Sequence, residues 1–346
     1  MLETGPLARF KFDLLFLILF SAAQIIHSQE YPQSEVHALL KSGIEAIVNQ
    51  DYNEAAKIFS KLDLNYPKIP LGKIYSAAVE IAKAYDYGTD FNSGFINRNL
   101  EEASDAADEL LKKDPDNIWN IYFKGLAEGY TAYYNALQRD YLSALNNGYD
   151  AMTMFEKCLA ADSSFYDAYT AIGVYRYWKS RKTEFLNWLP FIKDEREEGI
   201  KNLITSLHHF IYNEHLAANS LIWIYIDRKE FGKAIETADE MLKQHPASRQ
   251  FKWALARANE GIDKGKAINI YYEILESYRK LNLPNRSQEI TIMHIIAQQY
   301  SKMGNKEKAL EICRQILNSN LSEETKEKLG GRFSRIEEME KSLSEE

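Results

Sequence analysis

Glycine and proline are scarce in this 346-residue chain, at 16 and 8 residues. Hydrophobic residues make up 45% and charged ones 27%. That balance excludes disordered and collagen-like classes and leaves ample apolar mass for a core. Cysteine is nearly absent. Cys158 and Cys313 lie far apart, each on the apolar face of a predicted helix, so buried free thiols are expected and packing must hold the fold. Excess positive charge is missing too. A net charge of -8 argues against a generic nucleic-acid binder, although it leaves a local basic patch open. No long hydrophobic run is present. The longest, Leu14–Ile26, falls short of the roughly 20 residues that a membrane span needs.

That run has the form of an export leader. Arg9 and Lys11 precede it, and Ser28 offers a small residue for cleavage before Gln29. Residues 1–28 are therefore expected to be a signal peptide, with a retained anchor as the alternative. The expected location is outside the cytoplasm, in the periplasm or cell envelope if the source is bacterial.

Tyrosine is abundant, with 22 residues, which suits half-buried rings whose hydroxyls reach water. Nearly everything after Gln33 has helical periodicity, and no period-2 run stands out. The pattern also repeats. In "SGIEAIVNQDYNEAAKIFSKLDLNYP", Gly43 and Ala55 let two helices approach, Phe59 fills the gap and Pro67 ends the second helix. Leu221, Tyr225, Ala234 and Pro246 recur at matching offsets, as do Ala297, Tyr300, Gly304 and Ala309, and Ala103, Ala107 and Pro115. Over most of residues 35–320 the chain resembles the tetratricopeptide-repeat (TPR) family.

The small residues expected to open successive second helices are Ala55, Ala103, Ala151, Gly199, Ala234, Ala267 and Ala309. The first three intervals are 48 residues (103 − 55, 151 − 103, 199 − 151), and the later ones are 35, 33 and 42. The expectation is an all-α, right-handed solenoid of about seven antiparallel helix pairs. Residues 35–212 carry the long period, residues 213–320 the near-standard one, and residues 321–346 a polar capping helix interrupted at Gly330-Gly331. The period changes near Tyr212-Asn213, the candidate sub-domain boundary. The extra residues are expected in longer first helices or in the connectors after them. Asn99 with Glu102, and Asp194 with Glu197, offer N-cap pairs.

No P-loop, GxGxxG, HExxH, GxSxG or EF-hand pattern occurs. No cofactor and no catalytic set is assigned, and the chain is read as a non-enzyme. His208, His209 and His215 form the densest histidine group, but adjacent histidines diverge by about 100° on a helix, and surface positions are expected rather than a metal site. Gly125 and Gly129 form a strip for close helix packing. Asn285-Arg286-Ser287 and Asn320-Leu321-Ser322 are sequons.

Binding remains. Solenoids bind on concave faces built largely from first helices. The first helices offer Lys124, Tyr130, Tyr134, Arg176, Tyr177, Trp178, Lys179 and Trp223. Aromatics would grip apolar anchors while the cations read carboxylates. The expected partner is a protein or an extended peptide, with no nucleic acid. An alternative is peripheral membrane association of an envelope-assembly factor. It would dock through the 185–192 connector, with Trp188-Leu189-Pro190-Phe191 as the wedge. The stretch 173–203 (Gly173, Tyr175, Ser180, Leu189-Pro190-Phe191, Asp194, Arg196 and Gly199–Leu203) resembles a segment of the eukaryotic outer-mitochondrial-membrane and inclusion-clearance TPR family. From this only the recurrence of such an insertion is inferred.

Overall fold

The computed structural model describes residues 29–186, 193–209 and 211–345. The expected leader, Trp188 and most of the 185–192 connector lie outside those residues. Tyr31–Glu346 is one compact unit, and the change of period at Tyr212-Asn213 falls inside it.

Among the described residues there are sixteen α-helices and no strand. Fourteen form seven consecutive hairpins: α1 (Ser34–Val48) with α2 (Tyr52–Asn65), α3 (Leu71–Tyr87) with α4 (Ser93–Lys113), α5 (Ile118–Leu137) with α6 (Tyr141–Ala161), α7 (Asp167–Lys182) with α8 (Arg196–His209), α9 (Glu214–Asp227) with α10 (Phe231–Gln244), α11 (Arg249–Asn259) with α12 (Lys264–Leu281), and α13 (Ser287–Lys302) with α14 (Lys306–Leu317). The cap is two helices, α15 (Glu323–Leu329) and α16 (Gly331–Glu345), separated by Gly330 at φ 50°. From α1 to α14 each helix packs on the next along the chain, and α14 then packs on α16. Asp51, Asn92, Asn117, Asp140, Asp263 and Asn305 each accept a first-turn amide as N-caps, satisfying donors that helix starts leave open.

The repeat logic is visible in the packing. A Cβ at Gly43 would stand 2.4 Å from the Phe59 ring, so only glycine lets α1 and α2 close on that ring. Phe59 is fully buried and stacks on Tyr75 with 4.9 Å between centroids. Gly173 and Gly199 bring α7 and α8 together in the same way, each facing the other's carbonyl oxygen. All seven period-marking small residues are buried. Cys158 and Cys313 are buried free thiols, and burial pushes their pKa values up to about 12 and about 11.

The 48-residue period has a cause that the sequence reading placed only in part. In α2, α8, α10, α12 and α14 the marker residue lies three positions after the helix start. In α4 and α6 it lies ten positions in (103 − 93 and 151 − 141). These second helices therefore begin seven residues early, about 10 Å of extra helix, and α3 and α5 lengthen beside them. Only the fourth hairpin carries its extra length in the connector. The N-cap expectation at Asn99 is corrected accordingly: Asn92 caps α4, and Asn99 sits inside it with its amide donating to the Phe95 carbonyl at 2.8 Å. Asp194 accepts the Arg196 amide at 3.1 Å, while Glu197 pairs with Arg228 instead of completing a box.

The stack also closes on itself. Gln50, in the α1–α2 turn at φ 60°, accepts the Arg249 amide at 3.0 Å and donates to Ser248 Oγ at 3.2 Å. It thus caps α11 from the other end of the repeat array. His245 meets Asn49 at 3.1 Å and Glu45 at 3.4 Å. At the end of α3, Asp86 receives two bonds on each oxygen. Arg249 Nε at 3.0 Å and the Tyr278 hydroxyl at 2.8 Å reach one, and Arg249 Nη2 and the Tyr52 hydroxyl at 3.0 Å reach the other. The Asp86 and Arg249 side chains are 12% and 8% exposed. Asn285 donates to the Gly88 carbonyl at 2.5 Å, so the first sequon is held inside this seam. Hairpins one and two thus pack on hairpins five, six and seven, contacts that a repeat array with nearest-neighbour packing alone would lack. Among the described residues no helix is long and apolar enough to cross a membrane.

Candidate functional site

The candidate cations bind the chain's own acids. Lys124 pairs with Asp108 at 2.9 Å and Glu128 at 3.2 Å, and its side chain is only 17% exposed. Arg176 joins Glu156 at 2.9 Å and Glu198 at 2.5 Å. Lys179 holds Glu195 at 2.7 Å and lies 5.9 Å from the Tyr175 ring centre. These pairs tie neighbouring helices together.

The candidate aromatics divide. Tyr177 has no exposed surface, and its hydroxyl donates to Asp227 at 2.7 Å. Tyr134 is equally enclosed, donating to Ser93 at 2.6 Å. For these two the assignment to a partner surface is corrected: each is a core residue whose polar tip bonds a neighbouring helix. Tyr130, Trp178 and Trp223 are half-buried against the core. Gly125 packs as expected, 2.9 Å from Phe155 for an added Cβ, whereas Gly129 is looser at 3.8 Å from Ala151. His209 stacks on Tyr166, with 4.4 Å between centroids.

The opening of the fourth hairpin holds a cavity of about 550 Å³. Its polar walls satisfy one another. Arg181 bonds Asp227 and Glu184, Arg196 bonds Asp194 and Glu184, and Arg228 bonds Glu197 and Glu230. An anion entering here would have to displace an acid already in place.

Deeper in the unit, Asp167 is 2% exposed and accepts the Tyr212 and Asn213 amides at 3.1 and 2.9 Å. Asn213 in turn donates to the Tyr122 hydroxyl at 3.1 Å. Burial raises the Asp167 pKa to about 6, against the lowering effect of the backbone amides. The sign follows from linkage. A carboxyl whose folded pKa exceeds its unfolded one stabilises the fold while protonated, so that contribution is lost as pH rises through about 6. Asp167→Asn keeps an acceptor for both amides and removes the ionisation. We expect the wild type to lose up to about 3 kcal/mol relative to this variant between pH 4 and 7, read as the difference between their Tm–pH profiles. Parallel profiles would contradict the assignment.

Large apolar side chains do remain open, at positions the sequence reading did not select. Tyr85 on α3 is 61% exposed and Tyr133 on α5 is 49% exposed. They are one 48-residue period apart (133 − 85). Tyr130 lies half-buried one turn from Tyr133. A second group, Tyr141, Leu142, Leu145 and Tyr149, lies on the extended start of α6. A signal for both existed in the sequence: tyrosines at the repeat interval, and a helix opening "YLSALNNGY" without a charge.

Comparison with known proteins matches no family model and no curated protein. Solved structures do match. A TPR protein from Thermus thermophilus is 14% identical over 64% of this chain and 98% of its own, with a TM-score of 0.40. One from Parabacteroides merdae is 11% identical over 90% and 100%, at 0.37. The type IV pilus biogenesis factor PilW is 18% identical over 73% and 98%, at 0.45. At such scores the likeness carries nothing about partner or activity. Among the described residues the helices form an all-α stack of seven hairpins with a two-helix cap.

Proposed function

We propose that this protein is a non-catalytic scaffold that binds a partner protein or extended peptide along its first helices. The observation that carries this reading is the Tyr85–Tyr133 pair. Both rings are exposed at equivalent positions of adjacent hairpins, so a partner lying across the repeats would meet them in succession. Exposed tyrosines anchor interfaces well because a large rigid ring is buried at little entropic cost. The reading includes export by the leader at residues 1–28 and residence in the cell envelope of a bacterial source, which rest on the sequence alone. The test is co-purification of the full chain with and without Tyr85→Ala and Tyr133→Ala. The paired variant is expected to lose the partner, at least tenfold in apparent affinity, with an unchanged Tm. Full retention of every partner would refute it.

Membrane docking is a second reading. Phe185, at the entry to the connector, is 70% exposed. Flotation of the full chain with acidic lipid vesicles, lost in Phe185→Ser, would favour it; the scaffold reading expects flotation to be unaffected by that change.

A further inference from the structure

The first seven residues of α6, about two turns, extend beyond the start that the second helices other than α4 share, and the stretch from Tyr141 to Tyr149 carries an unusual surface. Tyr141, Leu142, Leu145 and Tyr149 are 64, 73, 46 and 57% exposed. At 100° per residue they fall within a single arc of about 100°. The opposite side is occupied: Asn147 donates to Glu128 at 2.8 Å and accepts from Asn135 at 3.2 Å; beside the arc, Gly148 lies against Tyr175 and Ala132. The helix cannot rotate to bury the apolar arc without breaking these contacts. Asp140 caps its start through the Ser143 amide, so the extension is held as helix.

The charge pattern selects the occupant. Residues 141–149 contain no charged side chain, in a chain of net charge -8. Two copies meeting through this face bring no like charges of the patch together, in a chain whose net charge is acidic. An acidic lipid surface is disfavoured, since the arc has none of the Lys or Arg residues that draw interfacial helices to such surfaces. The four side chains offer about 500 Å² per copy, or about 1,000 Å² for a symmetric pair, the lower bound of a specific interface.

We infer that the extended start of α6 is a homodimer interface, with the two helices antiparallel about a two-fold axis. An axis between positions 145 and 146 sets Leu142 of one copy against Tyr149 of the other, because 142 + 149 equals 145 + 146. Leu145 of each copy then sits at the centre. Such an isologous patch closes on itself and stops at two copies. The small area makes it a weak, concentration-dependent dimer.

Sedimentation of the full chain over a range of concentrations tests this. The wild type is expected to pass from monomer to dimer. Leu142→Asp with Tyr149→Asp should remain monomeric at least tenfold higher in concentration, with an unchanged Tm. Under mild oxidation Leu145→Cys should cross-link copy to copy, while an exposed control such as Glu240→Cys should not. The proposal is overturned if the wild type is monomeric throughout, if the double variant dimerises equally, or if the only property the variant loses is vesicle binding.

Discussion

Arg249→Ala is expected to destabilise the protein by about 3–5 kcal/mol, the cost of leaving a buried carboxylate without its counter-ion. Asp86 would keep the Tyr52 and Tyr278 hydroxyls, but it would lose the guanidinium that reaches both its oxygens and lies 5.0 Å from the Tyr278 ring centre. Asp86→Ala should cost a similar amount. The pair of changes together should cost clearly less than their sum, because each removes the same contact. The informative part is the distance in sequence. Residues 86 and 249 belong to the second and sixth hairpins, and in a solenoid held only by neighbouring contacts their effects would add. Denaturant titration of the two single variants and the double variant gives the coupling directly.

Phe59→Ala is the second large effect, again about 3–5 kcal/mol, since a fully buried aromatic leaves a cavity that its neighbours fill only in part. The ring touches Gly43 and stacks on Tyr75, so its loss loosens both the first hairpin and its junction with the second. Gly43→Ala probes the same contact from the other side. Alanine favours helix over glycine by about 1 kcal/mol, yet here its Cβ would meet the ring. A net loss of stability is therefore expected, and Gly43→Ala with Phe59→Leu should recover part of it. Thermal denaturation measures both; a stabilising Gly43→Ala would contradict the packing.

The helix pairs were legible in the sequence because the small residues that permit close approach are fixed by local geometry. Ala55, Gly199 and Ala309 mark the same contact in different hairpins, and each is buried there. The lengths of α4 and α6 were less legible. Helical periodicity runs through Asn99 without a break, so a capping residue seven positions earlier, Asn92, looks no stronger than Asn99 itself. The candidate cations misled for a related reason. Lys124 and Arg176 stand on first helices, where a partner could meet them, but the facing helices supply Asp108, Glu156 and Glu198. Carboxylates 16, 20 and 22 residues away lie beyond any helical spacing rule.

Closure was not legible at all. Gln50, Asp86, Ser248 and Arg249 look like ordinary polar surface residues, and the contacts among them span 163 to 199 residues. Nothing local distinguishes an arginine that pairs across the seam from one that faces water. The consequence reaches function. The sequence points to binding on a concave face of first helices, whereas the ends of the first two hairpins are committed to the later repeats. Partner-accessible apolar surface is found on Tyr85, Tyr133 and the start of α6.

The most direct test of this closure is a chemical bridge between the α1–α2 turn and the start of α11. Gln50 and Ser248 have side-chain atoms 3.2 Å apart, and the two native thiols are buried. Gln50→Cys with Ser248→Cys, treated with a short bismaleimide under native conditions, should become bridged within one chain. The product should run as a monomer with a cross-link recovered between those two peptides. If the two thiols label separately and no bridged peptide forms while the chain remains folded, the stack is open and the account is wrong.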